Sequence, residues 1–206
     1  MNIQAIITCA DFAHLLRHTL PRNRHHFSSI LIVTRPGDTD TIAVATQNQA
    51  DTLQTSAFFN NGSTFAKYPA LNHAIQYLNH DGWIALLDAD VVWPQHLSTQ
   101  LNPGYLYGMT RRILHPFNGS IPPEHQWHSL PLQKNSTREI CGFTQIFHTK
   151  DPLLKPPPYF DNQLPNAGAG DSIFARQWPR EHQVRIATAL HIGLNGQHWN
   201  GIKPHT

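Results

Sequence analysis

Short apolar runs alternate with helical patterns through the first half of the chain. Residues 2–8 (NIQAIIT) read as a first strand, followed by a helix through Phe12, Leu15 and Leu16 that should stop at Pro21. Residues 29–34 (SILIVT) form a second apolar run, ended by Arg35-Pro36-Gly37, and residues 38–47 follow as a short helix capped by Asp38 or Thr39. A third strand is expected at 52–59. Over 65–78 the apolar residues fall at 71, 74, 75 and 78, one face of a helix. Residues 83–87 (WIALL) are continuously apolar, as in a parallel strand buried on both faces. The second half is less regular, with strands expected at 105–113, 138–147 and 184–191, a Pro-rich loop at 152–165 and a helix near 171–178.

Four strand–helix alternations predict an α/β fold: a single Rossmann-like domain over 1–206, with a mostly parallel central sheet flanked by helices. Ligands of nucleotide type bind such sheets at the carboxyl ends of the strands. The 206 residues fit one domain with a core of its own. Charged residues are only 14% of the chain, and 15 histidines and 16 prolines fill part of the shortfall. A net charge of +2 is too small to point to nucleic acid. It is unevenly spread, however: residues 1–103 hold 5 Lys+Arg against 7 Asp+Glu, and residues 104–206 hold 10 against 6. The halves are therefore expected to do different jobs. The start has neither a basic n-region nor a long apolar segment, so a cytoplasmic protein is expected. Cys9 and Cys141, far apart in apolar surroundings, read as buried free thiols.

The chemistry concentrates in residues 82–94, GWIALLDADVVWP. Asp88 and Asp90 follow an apolar strand, and alternate carboxylates at a strand's end can share one hard cation, leaving its other positions to water and phosphate oxygens. A second acid, Asp171, follows a Gly-rich turn at the start of a helix, where it reads either as an N-cap or as a rigidly mounted general base. His191 ends a strand directly before a Gly-containing turn and offers a neutral imidazole to a divalent ion. His25 and His26 read as solvated loop residues.

With these residues in view, WIALLDADVVWP resembles the Asp-x-Asp segment of GT-A-fold glycosyltransferases, particularly small bacterial and phage-type relatives in the glycosyltransferase family 2 group. The similarity continues in order through FFNNGSTFAKYPALNHAI (58–75), LYGMTRRI (106–113), CGFTQIFH (141–148), AGAGDSIFARQW (167–178) and LHIGLNGQHWNGI (190–202). The resemblance implies a donor half over 1–103 and an acceptor half over 104–206. It implies a nucleoside-diphosphate-sugar donor and a divalent metal, Mn²⁺ or Mg²⁺, held by Asp90, Asp88 and His191. Asp88 would also meet the ribose. Lys67 and Asn72 would line the nucleotide side, although both also fit an ordinary helix surface. Thr8 and Asp11 end the first strand in the nucleotide pocket; Asp38 and Asp40, after the second, either read the base or cap a helix. Asp171 would deprotonate the acceptor hydroxyl for an inverting transfer, although Gly170 stands where the family more often has Glu. His198 and Trp199 resemble a terminal segment folding over the donor, with Lys203 where Arg is commoner. Arg111, Arg112, Trp127, His128 and the run 153–160 suggest the acceptor side, although a solvated basic surface accounts for them more simply. The acceptor itself, whether glycan, lipid, protein or modified nucleobase, is left open.

Two other classes compete. A nucleotidyltransferase with a similar metal turn would want a Gly-rich, basic loop after the first strand, where this chain has TCADF. A non-catalytic nucleotide- or glycan-binding relative would have no use for Asp88, Asp90, Asp171 and His191 together.

Overall fold

The computed structural model describes residues 2–133, 139–140 and 142–193. Arg138, Cys141, His198, Trp199 and Lys203 lie outside them. The described elements are β1 (Ile3–Thr8), α1 (Ala13–Asn23), β2 (Ser29–Thr34), α2 (Thr39–Gln47), β3 (Asp51–Gln54), α3 (Lys67–Leu78), β4 (Trp83–Asp88), β5 (Val91–Val92), β6 (Leu106–Ile113), β7 (Thr144–His148), α4 (Gly170–Ala175) and β8 (Gln183–His191). Short 3₁₀ turns join several of them.

All eight strands lie in one sheet, in the order β3-β2-β1-β4-β7-β6-β8-β5. The first four are parallel. β7 enters antiparallel to both β4 and β6, β6 and β8 run parallel, and β5 closes the edge antiparallel to β8. The sheet is thus mixed beyond β4. Side chains of β4 show why the apolar runs are continuous: Ala85 and Leu87 join one core layer, while Ile84 and Leu86 join the other. The first layer takes Leu15, Leu16 and Leu20 of α1 and Val44 of α2; the second takes Leu71, Ala74 and Ile75 of α3 and Phe174 of α4. Each large apolar side chain buried this way contributes about 1.5–3 kcal/mol.

Several local expectations are corrected. α1 does not stop at Pro21 but runs on to Asn23. Pro21 lacks an N–H only in the last turn, and the buried Leu20 and Asn23 hold that turn in place. The third strand ends at Gln54, because the Thr55 side chain accepts the Ala57 N–H and turns the chain into the 3₁₀ segment Ser56–Gly62. Residues 139, 140, 142 and 143 are not strand, so β7 begins at Thr144. The histidine pair 25–26 is not simply solvated: the rings lie 3.9 Å apart, and that of His26 packs 5.4 Å from Trp93. Cys9 is a buried free thiol, and burial pushes its pKa up to about 12.

Strand order determines where a ligand can enter. From β1 the chain winds outward through β2 and β3, then returns to place β4 on the other side of β1. The reversal opens a crevice beyond the carboxyl ends of β1 and β4. Thr8 and Asp88 are register partners at that point.

Candidate active site

At the crevice, β4 delivers Asp88 and the following turn delivers Asp90. Asp88 is turned toward α3, where its Oδ1 accepts a hydrogen bond from Lys67 Nζ. The Lys67 side chain is only 8% exposed, and its ammonium also donates to the Gly142 carbonyl at 3.3 Å. Lys67 is therefore not a solvated helix residue. A buried ammonium needs such partners to offset its lost hydration.

Asp90 meets His191 instead. Oδ2 lies 3.2 Å from His191 Nε2, and both side chains are largely buried. Register brings them together: Val91 pairs with His191, and the Ile192 N–H donates to the Asp90 carbonyl at 2.9 Å. Burial would raise the Asp90 pKa, but the adjoining His191 and the Arg111 charge outweigh it and hold the carboxyl ionised. Gly193 is required here by close approach, since a Cβ would come within 2.7 Å of Asp90 Cγ.

A divalent cation suits this pair. The donors that would share it are Asp90 Oδ2 and His191 Nε2; the other two polar atoms of the pair, Oδ1 and Nδ1, are buried without a hydrogen-bond partner among the described residues. Two donor atoms that each stand about 2.1 Å from one ion are themselves about 3 Å apart in octahedral geometry. The observed 3.2 Å is compatible with that spacing. Among the described residues, no group of three His, Cys, Asp or Glu converges on one point. Asp88 is thus not gathered with Asp90 and His191; a metal there would have two protein ligands and positions left for a ligand's oxygens.

Asp171 is linked to this region through Gly142. It is the second residue of α4, whose N-cap is Ala169, so the capping alternative for Asp171 is not realised. Oδ2 accepts from the Gly142 N–H at 2.5 Å and Oδ1 from the Ser172 N–H at 2.9 Å. A Cβ on Gly142 would come 2.6 Å from that of Asp171. Tyr68 completes the support, its hydroxyl donating to the Ala167 carbonyl at 2.8 Å and accepting the Asp171 N–H at 3.1 Å. Residues 142–143 are a shared wall: Gly142 touches Lys67 and Asp171, and the Phe143 carbonyl accepts the Asp88 N–H at 3.3 Å.

The nucleotide-side residues divide. Asp11, at φ +65°, is gripped by Arg35, whose Nε lies 2.9 and 2.7 Å from its two oxygens. Asp38 is buried and serves as the α2 cap; its carboxylate accepts from Thr41 N–H (3.2 Å), Thr34 Oγ1 (2.7 Å) and Asp11 N–H (2.8 Å). Burial pushes its pKa up, but those donors more than reverse the shift. Asp40 lies in the exposed first turn of α2. Asn72 faces the Pro-rich segment, donating to the Phe160 carbonyl and to Asn162 Oδ1 and accepting the Phe160 N–H. Thr8 is buried beside Asp88. Arg111 stacks on Phe143, 4.6 Å from the ring centre. Sequence reasoning missed Arg35, Tyr68 and the close-approach roles of Gly142 and Gly193. The glycines in CGF and HIG, each beside a candidate residue or apolar strand, were the signal available.

No protein-family model matches the chain, and no curated protein sequence does. Solved structures do. A mycobacterial protein superposes over 95% of this chain and 68% of its own, with a TM-score of 0.59 at 13% identity. Mannosyl-3-phosphoglycerate synthase from Rubrobacter xylanophilus covers 94% of this chain and 68% of its own, with a TM-score of 0.57 at 14% identity. Glucosyl-3-phosphoglycerate synthase from Mycobacterium tuberculosis, in complex with Mg²⁺ and uridine diphosphate, covers 94% and 72%, with a TM-score of 0.56 at 13% identity. The fold is that of GT-A-type glycosyltransferases. Among the described residues no helix is long and apolar enough to cross a membrane.

Proposed function

We propose that this GT-A-fold chain is a metal-dependent glycosyltransferase, moving a sugar from a nucleoside-diphosphate-sugar donor to an acceptor hydroxyl with inversion. The observation that carries the reading is the buried Asp90–His191 pair after β4, whose Oδ2 and Nε2 stand 3.2 Å apart, a spacing at which two donors can share one cation. Structural neighbours crystallised with Mn²⁺ or Mg²⁺ and uridine diphosphate support it.

Asp90 and His191 would hold the cation. When bound, it neutralises charge on the departing diphosphate. Thr8, Asp11 and Asp88 line the crevice for the nucleoside, with Asp38 and Arg35 fixing Asp11 from behind. Lys67 holds the Asp88 carboxylate in place and brings a positive charge to the diphosphate side. Asp171, gripped by two backbone N–H groups, takes the proton from the acceptor hydroxyl as that oxygen attacks the sugar carbon opposite the leaving group. Residues 1–103 supply most donor contacts. The second half supplies Asp171 and the acceptor wall, and lends His191 to the metal.

The test is a thermal-shift panel of UDP, GDP, CDP and ADP with and without Mn²⁺, followed by donor hydrolysis or transfer assays. At least one nucleoside diphosphate should raise Tm only with metal, and Asp90→Asn should erase that shift. Asp171→Asn should retain donor binding and lose transfer. A chain indifferent to every nucleotide–metal pair overturns the reading.

A further inference from the structure

The turn that carries Asp90 is held from behind by two side chains of α1. Thr19 and Asn23 stand one helical turn apart on the same face, and each is 1% exposed. Thr19 Oγ1 donates to the Ala89 carbonyl at 2.6 Å. Asn23 makes two bonds: Nδ2 donates to the Val91 carbonyl at 2.7 Å, and Oδ1 accepts the Trp93 N–H at 2.9 Å.

The second pattern is that of a β-ladder. A neighbouring strand would present a peptide N–H and C=O to residues i and i+2; here one carboxamide presents the same two groups to Val91 and Trp93. β5 is two residues long and lies at the sheet's edge, paired among the described strands with β8 alone. Asn23 therefore takes the place of the missing neighbour strand. With the Ile192 N–H on the Asp90 carbonyl, three consecutive carbonyls, of residues 89, 90 and 91, are each fixed by a different partner.

We infer that Thr19 and Asn23 are positioning residues for the metal ligand Asp90, an assignment that rests on the proposed function. A two-residue edge strand has little hold of its own, while cation binding demands that Asp90 stay opposite His191. Partners lying behind a ligand commonly change metal affinity by about 10–100-fold when lost.

The chemistry dictates the variants. Thr19→Val keeps the shape and removes the donor; Thr19→Ser restores it. Asn23→Asp is isosteric but sets a carboxylate oxygen against the Val91 carbonyl. Mn²⁺ affinity should be read directly, by electron paramagnetic resonance titration of free Mn²⁺ in the presence of the nucleoside diphosphate that binds the unaltered chain, with folding checked by circular dichroism. Thr19→Val and Asn23→Asp should each weaken Mn²⁺ binding about tenfold or more in the folded protein, and Thr19→Ser should recover most of it. If Asn23→Asp does not fold, the Thr19 pair carries the test. A lowered Tm with unchanged Mn²⁺ affinity in Thr19→Val overturns the assignment alone. Absence of Mn²⁺-dependent nucleotide binding by the unaltered chain overturns the proposed function, and this assignment with it.

Discussion

Lys67 and Asp88 form an ion pair whose two ends are unequally buried, and that asymmetry predicts unequal mutants. The Lys67 side chain is 8% exposed and that of Asp88 32%. Asp88→Asn leaves a buried ammonium without its counter-charge, at a cost of about 2–3 kcal/mol, at or just under the range for breaking a buried pair. Lys67→Met leaves a carboxylate that water can reach and should cost under about 1 kcal/mol, while still weakening diphosphate binding. Urea unfolding of both variants, with nucleotide titrations, measures the difference; equal destabilisation would refute it. Gly193→Ala is a sharper probe, because the added methyl is driven into the Asp90 carboxylate. It should abolish the Mn²⁺-dependent thermal shift while leaving the circular dichroism spectrum of the folded chain in place. None of this was legible residue by residue. The sequence marked Lys67, Asp88 and Asp90 as chemically apt, but which carboxylate faces the lysine and which the histidine depends on side-chain direction.

Two short elements carry predictions of their own. Asp38 at the head of α2 serves Thr34, Thr41 and Asp11 together. Asp38→Ala therefore removes more than a cap and should cost about 2 kcal/mol, near the upper end for cap loss. It should also weaken nucleotide affinity, because the Asp11 loop loses its anchor; chemical denaturation and calorimetric titration report the two effects. In the turn Arg24–His26, burial first and the neighbouring His25 second lower the His26 pKa to about 4. An unfolded histidine titrates near 6.5. Above that pH neither state holds the proton. As pH falls from about 6.5 to about 4, the unfolded chain takes up a proton that the folded chain refuses, so stability is lost across that window. The loss is on the order of 2 kcal/mol for a half-buried ring. Tm measured from pH 7 to 4 should fall less steeply in His26→Phe than in the unaltered chain. The amino-acid pattern located α2 and its cap; it could not reveal that His26 packs on Trp93, since the two are 67 positions apart.

At the scale of the whole molecule, ligand and fold are linked. A nucleoside diphosphate with Mn²⁺, at about 100 times its Kd, should add about 2.7 kcal/mol to unfolding stability, and EDTA should remove the metal-dependent part. Differential scanning calorimetry with and without EDTA checks this, and an EDTA-insensitive shift would exclude the metal from the site. The site draws on distant parts of the chain: Asp90 from the turn after β4, Lys67 from α3, Asp171 from α4 and His191 from β8. Sequence alone pointed to β2 as a buried strand and to β4 as a parallel strand buried on both faces, because a short continuous apolar run suits a strand covered on each side. It also determined that an acidic turn follows β4, because polar groups collect where a buried strand reaches solvent. It did not determine the mixed order beyond β4, the edge strand β5, or the partners of each acid. Those depend on long-range strand pairing and side-chain direction, which no local pattern encodes. The tertiary structure alone decided that Asp90 meets His191, since strand register between β5 and β8, rather than any spacing along the chain, sets the distance between them.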